Sequence, residues 1–116
     1  MELKRLTVGD IMLFNNIIYK LNEQQIKYPI NIAYKIVKLK QQFDEIETMM
    51  VSRWSVLMGE DFDLNNLTEE QKLIYTSTLS AEVEINTHGL TVDNITDNNK
   101  VELTLSETER LIRFLG

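Results

Sequence analysis

The chain has no cysteine, which excludes disulfides and thiolate metal sites. It has one histidine, so a metal site built on a histidine pair is excluded too. Its four glycines form neither G-x-G-x-x-G nor a phosphate loop, so nucleotide binding has no support. No apolar run approaches the roughly 20 residues that a membrane span needs. The opening MELKRLTVGD carries two basic residues but no apolar stretch after them, so no secretion signal is expected and the cytoplasm is the expected location. The glycosylation-type triplets at 66–68 and 94–96 then carry no weight.

A length of 116 residues makes one domain, 1–116. With 43% hydrophobic and 26% charged residues, the composition is that of a soluble globular protein. Such a chain buries only a modest core, so exposed binding faces are expected rather than large preformed cavities. Eighteen acids against twelve bases give a net charge of −6, which repels phosphate backbones and argues against a nucleic-acid partner. Acids and bases alternate along the chain, so no acidic DNA-like face is expected.

What the chain does have is a seam. Ile32, Ile36, Leu39, Phe43, Ile46, Met50 and Leu57 recur in steps of four and three, broken only by Arg53. That is the heptad pattern of a long helix packed along its length against others. The single proline, Pro29, suits the first turn of this helix and pushes Tyr28 out of helical angles. Gly59 ends it. A helix over 29–58 would be roughly 45 Å long. That exceeds a compact domain of this size, with its radius near 13 Å, so the helix bends, projects or pairs with another chain.

Before it, Thr7-Val8-Gly9-Asp10 caps a first helix over about 8–25, with Ile11, Phe14, Ile18 and Leu21 in register. Residues 1–6 read as a short strand or a packed lead-in. After Gly59 comes an acidic loop. Thr68-Glu69-Glu70-Gln71 is then a capping box that opens a third helix over about 69–86. Threonine and serine weaken its second half, and Ala81–Thr87 alternates like a strand. Residues 90–105 read as irregular with one helical turn near 92–95, and KVELTL at 100–105 alternates briefly. Ser106-Glu107-Thr108-Glu109 is a further capping box for a last helix.

Candidate chemistry is sparse. Asp61, Asp63 and Asn65 have the alternate spacing of a calcium loop, but Asn66 and Lys72 stand where such a loop needs glycine and a bidentate glutamate. A solvated acidic turn fits better. His88, before Gly89, reads as a turn residue, and no G-x-S-x-G context supports a triad. The pairs Asp44/Glu45, Glu82/Glu84 and Glu107/Glu109 do not face one another on a helix. No catalytic residue, cofactor or metal is therefore assigned, and the chain is not read as an enzyme. Met49, Arg53, Trp54 and Met58 cluster at the end of the long helix, and methionine, arginine and tryptophan are enriched at interface cores. They are the candidate partner-binding residues. Trp54 lies off the seam, either in a widened core stripe or at an exposed contact. Arg53, on the seam, needs an acidic partner if buried. Tyr19, Tyr28 and Tyr34 flank the first helix junction and read first as residues sealing a helix corner, second as partner contacts.

Taken together, Tyr28-Pro29-Ile30, Ala33-Tyr34-Lys35-Ile36-Val37-Lys38, Glu82-Val83-Glu84-Ile85, Leu90-Thr91-Val92-Asp93-Asn94-Ile95 and Leu103-Thr104-Leu105-Ser106-Glu107 form a layout that resembles a group of small bacteriophage and prophage proteins of unassigned function. The resemblance covers 28–38, 79–87, 90–96 and 101–115. It rests on helix boundaries and core patterns. This chain is shorter than that group between its two long helices. The resemblance implies a viral origin, hence action in a host bacterial cytoplasm, and supplies no site residues.

The expected fold is mainly α: an antiparallel helical hairpin or bundle around the long central helix. The alternation also admits a minor β-pair between 84–87 and 101–105. The expected function is a non-enzymatic, phage-encoded module that binds a host or phage protein through helix faces. The alternative is a virion or assembly component that self-associates as a homo-oligomer through the seam. A small hydrolase is a distant third.

Overall fold

The computed structural model describes residues 3–116; the first two residues of the 1–6 lead-in lie outside them. The element order is β1 (Leu3–Thr7), α1 (Val8–Glu23), α2 (Ile30–Met58), α3 (Glu69–Ser80), β2 (Glu82–Asn86), α4 (Val92–Thr96) and α5 (Leu105–Leu115). The fold is mainly α with one small antiparallel sheet, β1 against β2.

The helix starts are fixed by side chains. Thr7 and Asp10 cap α1 reciprocally, and Thr68 and Gln71 do the same for α3. Each pair satisfies two backbone amides that the helix itself cannot reach. Pro29 caps α2 without a side-chain bond, and Gly59 ends it at φ 88°, an angle that favours glycine. Along the 45 Å long axis of the molecule, α2 is the spine.

Two apolar clusters hold the elements together. In the larger, Phe14 of α1 lies against Phe43 of α2 at 5.0 Å and stacks on Phe114 of α5 at 5.2 Å. Leu6 and Ile85 bring the sheet into the same core. In the smaller, Val8, Met50 and Trp54 are the buried residues, flanked by Phe62, Tyr75 and Leu79. Met58 carbonyl accepts from Gln71 Nε2 at 3.4 Å, while Trp54 stacks on Tyr75 at 5.1 Å. Contacts that advance up α3 as they descend α2 make the two helices antiparallel, as the sequence led us to expect.

Four expectations change. The seam does not run on to Leu57, which is 49% exposed, but turns to Trp54, which is 1% exposed. Ile32, Phe43 and Trp54 stand eleven apart, as do Leu39 and Met50. That is the stripe of a straight helix, from which a strict heptad drifts by about 20° per repeat. The third helix stops at Ser80 rather than near 86, because Ala81 takes an extended conformation and 82–86 pairs as a strand.

The partner of that strand is β1, in register Leu3↔Asn86 through Thr7↔Glu82, and not 101–105. There Gln24 occupies the backbone of Glu102, donating to its carbonyl at 2.6 Å and accepting from its amide at 3.0 Å. Finally, α5 is capped by Thr104 with Glu107, not by Ser106 with Glu109. Glu107 also takes Lys20 Nζ at 2.7 Å, a cross-helix tie that favours the earlier start.

Candidate functional site

The four candidate residues separate. Trp54 is in the smaller core, stacked on Tyr75 and edge-on to Phe62 at 6.2 Å. It is not an exposed anchor, because the straight-helix stripe turns it inward. Its indole N–H is buried with no partner among the described residues, a cost of about 1–3 kcal/mol. Met58 is half-buried beside it. Met49 and Arg53 remain outside: Met49 is 71% exposed. Arg53 is exposed and makes no ion pair among the described residues.

Met49 and Arg53 stand on one wall of a groove of about 470 Å³ between α2 and the α3–β2 segment. Ile46 and Met50 continue that wall, Ser77, Thr78 and Ala81 form the other, and Val8 and Val83 lie at its base. The groove follows from the composition of α3. After Tyr75 its second half is Thr76, Ser77, Thr78, Leu79 and Ser80; Tyr75 and Leu79 pack on the smaller cluster, and none of its residues is fully buried. The short side chains of Ser77 and Thr78 do not fill the space beside the methionines of α2. Thr78 and Ser80 hydroxyls turn back to the carbonyls of Ile74 and Thr76 at 2.8 and 3.0 Å, which further withdraws them.

A second polar feature was not foreseen. Asn15 is fully buried within the apolar stripe of α1. Its Nδ2 donates to Asp44 Oδ1 and to Glu47 Oε2, both at 3.1 Å. Lys40 Nζ reaches Asp44 Oδ2 at 2.6 Å and lies 4.7 Å above the Tyr19 ring. The lysine bond holds Asp44 below the ordinary carboxylate value, while burial pushes Glu47 above it. The two carboxylates converge on an amide rather than on a cleft, so the arrangement straps α1 to α2. The signal for it was present: Asn15 sits four residues after Ile11 and three before Ile18, where an apolar residue belongs.

The remaining candidates are placed as follows. His88 adopts φ 54° and its amide donates to Asn86 Oδ1 at 2.9 Å, the geometry of a turn. Asp63 Oδ1 accepts from the Asn65 amide at 2.9 Å, a local turn. Among the described residues no group of three or more acidic, histidine or cysteine side chains could hold a metal ion. Tyr28 donates to the Ile95 carbonyl at 2.9 Å, and burial pushes its phenol to about 12; it does seal the helix corner. Tyr34 is exposed, beneath Lys38. Among the described residues no helix is long and apolar enough to cross a membrane. No protein-family model matches the chain, and neither a curated protein nor a solved structure matches it.

Proposed function

We propose that this protein is a non-enzymatic, phage-encoded binding module that takes a protein partner into the groove between α2 and the α3–β2 segment. The observation that supports this reading is an exposed apolar side chain, Met49, beside a cation, Arg53, that has no ion pair among the described residues, on the wall of an apolar groove. Methionine adapts to varied surfaces, and arginine is over-represented among interface hot spots. The seam residues Leu39 and Phe43 are buried in the chain's own core, so self-association through that seam would have to open the fold. This favours a foreign partner over the assembly reading.

The test is a tagged pull-down from infected or lysogenic bacterial lysate, read by mass spectrometry, with wild type beside Met49→Asp. One protein recovered by the wild type and lost with Met49→Asp, at unchanged thermal midpoint, supports the groove. Equal recovery by both forms sinks it, and recovery of only the chain itself with virion proteins returns the assembly reading.

A further inference from the structure

The groove is bordered by a strand edge, and three hydrogen-bonded contacts fix which backbone groups that edge presents. The Val8 amide donates to the Ala81 carbonyl at 2.9 Å, while the Ala81 amide turns to the Thr78 carbonyl at 3.2 Å; the first bond, one step beyond the strands, sets the bonded phase of the antiparallel ladder. Bonded pairs alternate with non-bonded ones. In the observed register, Thr7–Glu82, Arg5–Glu84 and Leu3–Asn86 are then the non-bonded pairs. The N–H and C=O of Glu82, Glu84 and Asn86 therefore point away from β1.

Two side chains agree. The Thr7 amide turns outward to Asp10 Oδ2 at 3.3 Å. The carboxamide of Gln42 takes both outward groups of Asn86, accepting from its amide at 2.9 Å and donating to its carbonyl at 2.7 Å. Gln42 belongs to α2, so α2 flanks the outer edge of β2 and the groove lies beside that edge. At Asn86 the side chain does what the peptide of a neighbouring strand would do. At Glu82 and Glu84 no group among the described residues takes that place.

Resting on the function proposed above, we infer that the partner enters as an extended segment that adds to β2 as a third strand. Backbone hydrogen bonds to Glu82 and Glu84 would hold it, and alternate apolar side chains would descend into the groove, the two components of strand addition. Charge sets its direction and chemistry. Glu84 stands toward the end that Gln42 closes, and Arg53 toward the other, where the Glu82 carboxylate is drawn to Arg5 of β1 at 3.9 Å. An antiparallel segment then carries a basic residue near its N-terminal end and an acidic one near its C-terminal end. Pairing of two copies through β2 would set Glu84 against Glu84, which like-charge repulsion opposes.

The probe is the peptide acetyl-Lys-Val-Thr-Val-Glu, titrated into the full chain and followed by amide NMR and hydrogen exchange. The amides of Glu82 and Glu84 should slow by about tenfold on binding, the scale of one hydrogen bond gained. Exchanging the terminal lysine and glutamate should weaken binding, as should Glu84→Pro, whose lost N–H faces away from β1 and so spares the ladder. N-methylation of the probe's lysine and threonine, the residues that would lie opposite Glu84 and Glu82 with their N–H groups toward β2, serves as the second arm should Glu84→Pro fail to fold.

Equal binding of the methylated probe, or shifts confined to another surface at millimolar peptide, overturns strand addition. A concentration-dependent dimer with protected Glu84 overturns it in favour of self-pairing. A partner lost with Met49→Asp but retained by Glu84→Pro overturns this inference alone and leaves the groove reading standing.

Discussion

The helix α2 passes from one core into another, and the two are built differently. Around Phe43 it meets α1, α5 and the sheet, and Phe14, Phe43 and Phe114 are all closed to solvent. Around Trp54 it meets α3, which contributes no fully buried residue. Both stretches of α2 supply large apolar side chains; the difference is what faces them. Phenylalanines facing it close the first core, whereas in the second Tyr75 and Leu79 cover the Trp54 side and Ser77, Thr78 and Ala81 leave a groove beside Met49 and Arg53. An open site on a rigid helix thus arises from small polar residues on the neighbour, with no special residue on the helix itself.

The comparison is broken most severely by Phe43→Ala. Removing a fully buried ring costs about 3–5 kcal/mol, and the expected outcome is a large drop in the urea midpoint with the transition still cooperative. A loss under about 1 kcal/mol would mean that the first core is as loose as the second. Trp54→Phe is the matched test on the other side. It keeps an aromatic ring against Tyr75 and Phe62 but removes the unpartnered indole N–H. The orphaned donor costs about 1–3 kcal/mol, so its removal offsets most of the lost packing, and the midpoint should move little. A drop as large as that of Phe43→Ala would show that the N–H is satisfied in solution.

The contrast also marks what could be read from the amino acids. Both ends of α2 were legible because Pro29 and Gly59 act on the backbone locally. So were the caps at Thr7 and Thr68, each a reciprocal pair three residues apart. Thr104 was missed because Ser106 offers the same spacing, and the tie from Glu107 to Lys20, far away in sequence, has no local signal. The pairing of β2 with β1, from Leu3↔Asn86 to Thr7↔Glu82, joins residues far apart in the chain, which no local pattern reports. Trp54 was ambiguous because the heptad and the straight-helix stripe separate only after several turns. The groove was illegible for a further reason: it depends on which side chains fail to fill a space between two helices. Of its walls, only Met49 and Arg53 were signalled.

A smaller effect comes from the Asn15 strap beside the first core. Glu47 has its carboxyl raised above 4.5 by burial, so the fold binds that proton more tightly than the unfolded chain does. Its contribution favours the fold below pH 4.5 and is lost as pH rises through the raised value. Asp44 runs the other way. Lowered from 3.8, chiefly by Lys40, it contributes above that value and loses the contribution as pH falls through its lowered one. Glu47→Gln keeps an oxygen for Asn15 Nδ2 and removes the titration. The variant should be more stable than wild type at neutral pH and indistinguishable from it below pH 4.5. Urea midpoints at the two pH values check this, and a difference of equal size at both would show that burial of the charge is not the cause.

The smallest effect on stability belongs to Met49, and there the smallness is informative. A residue 71% exposed adds little to the second core, so Met49→Ser should change stability by no more than about 0.5 kcal/mol. Met50, one position on, is 6% exposed and points into the cluster; Met50→Ala should cost about 2 kcal/mol or more. Adjacent methionines with opposite outcomes would show that α2 presents one to the fold and keeps the other free for a partner. If the midpoint falls equally for both, the second core extends over the groove, and the opening beside Met49 closes in solution.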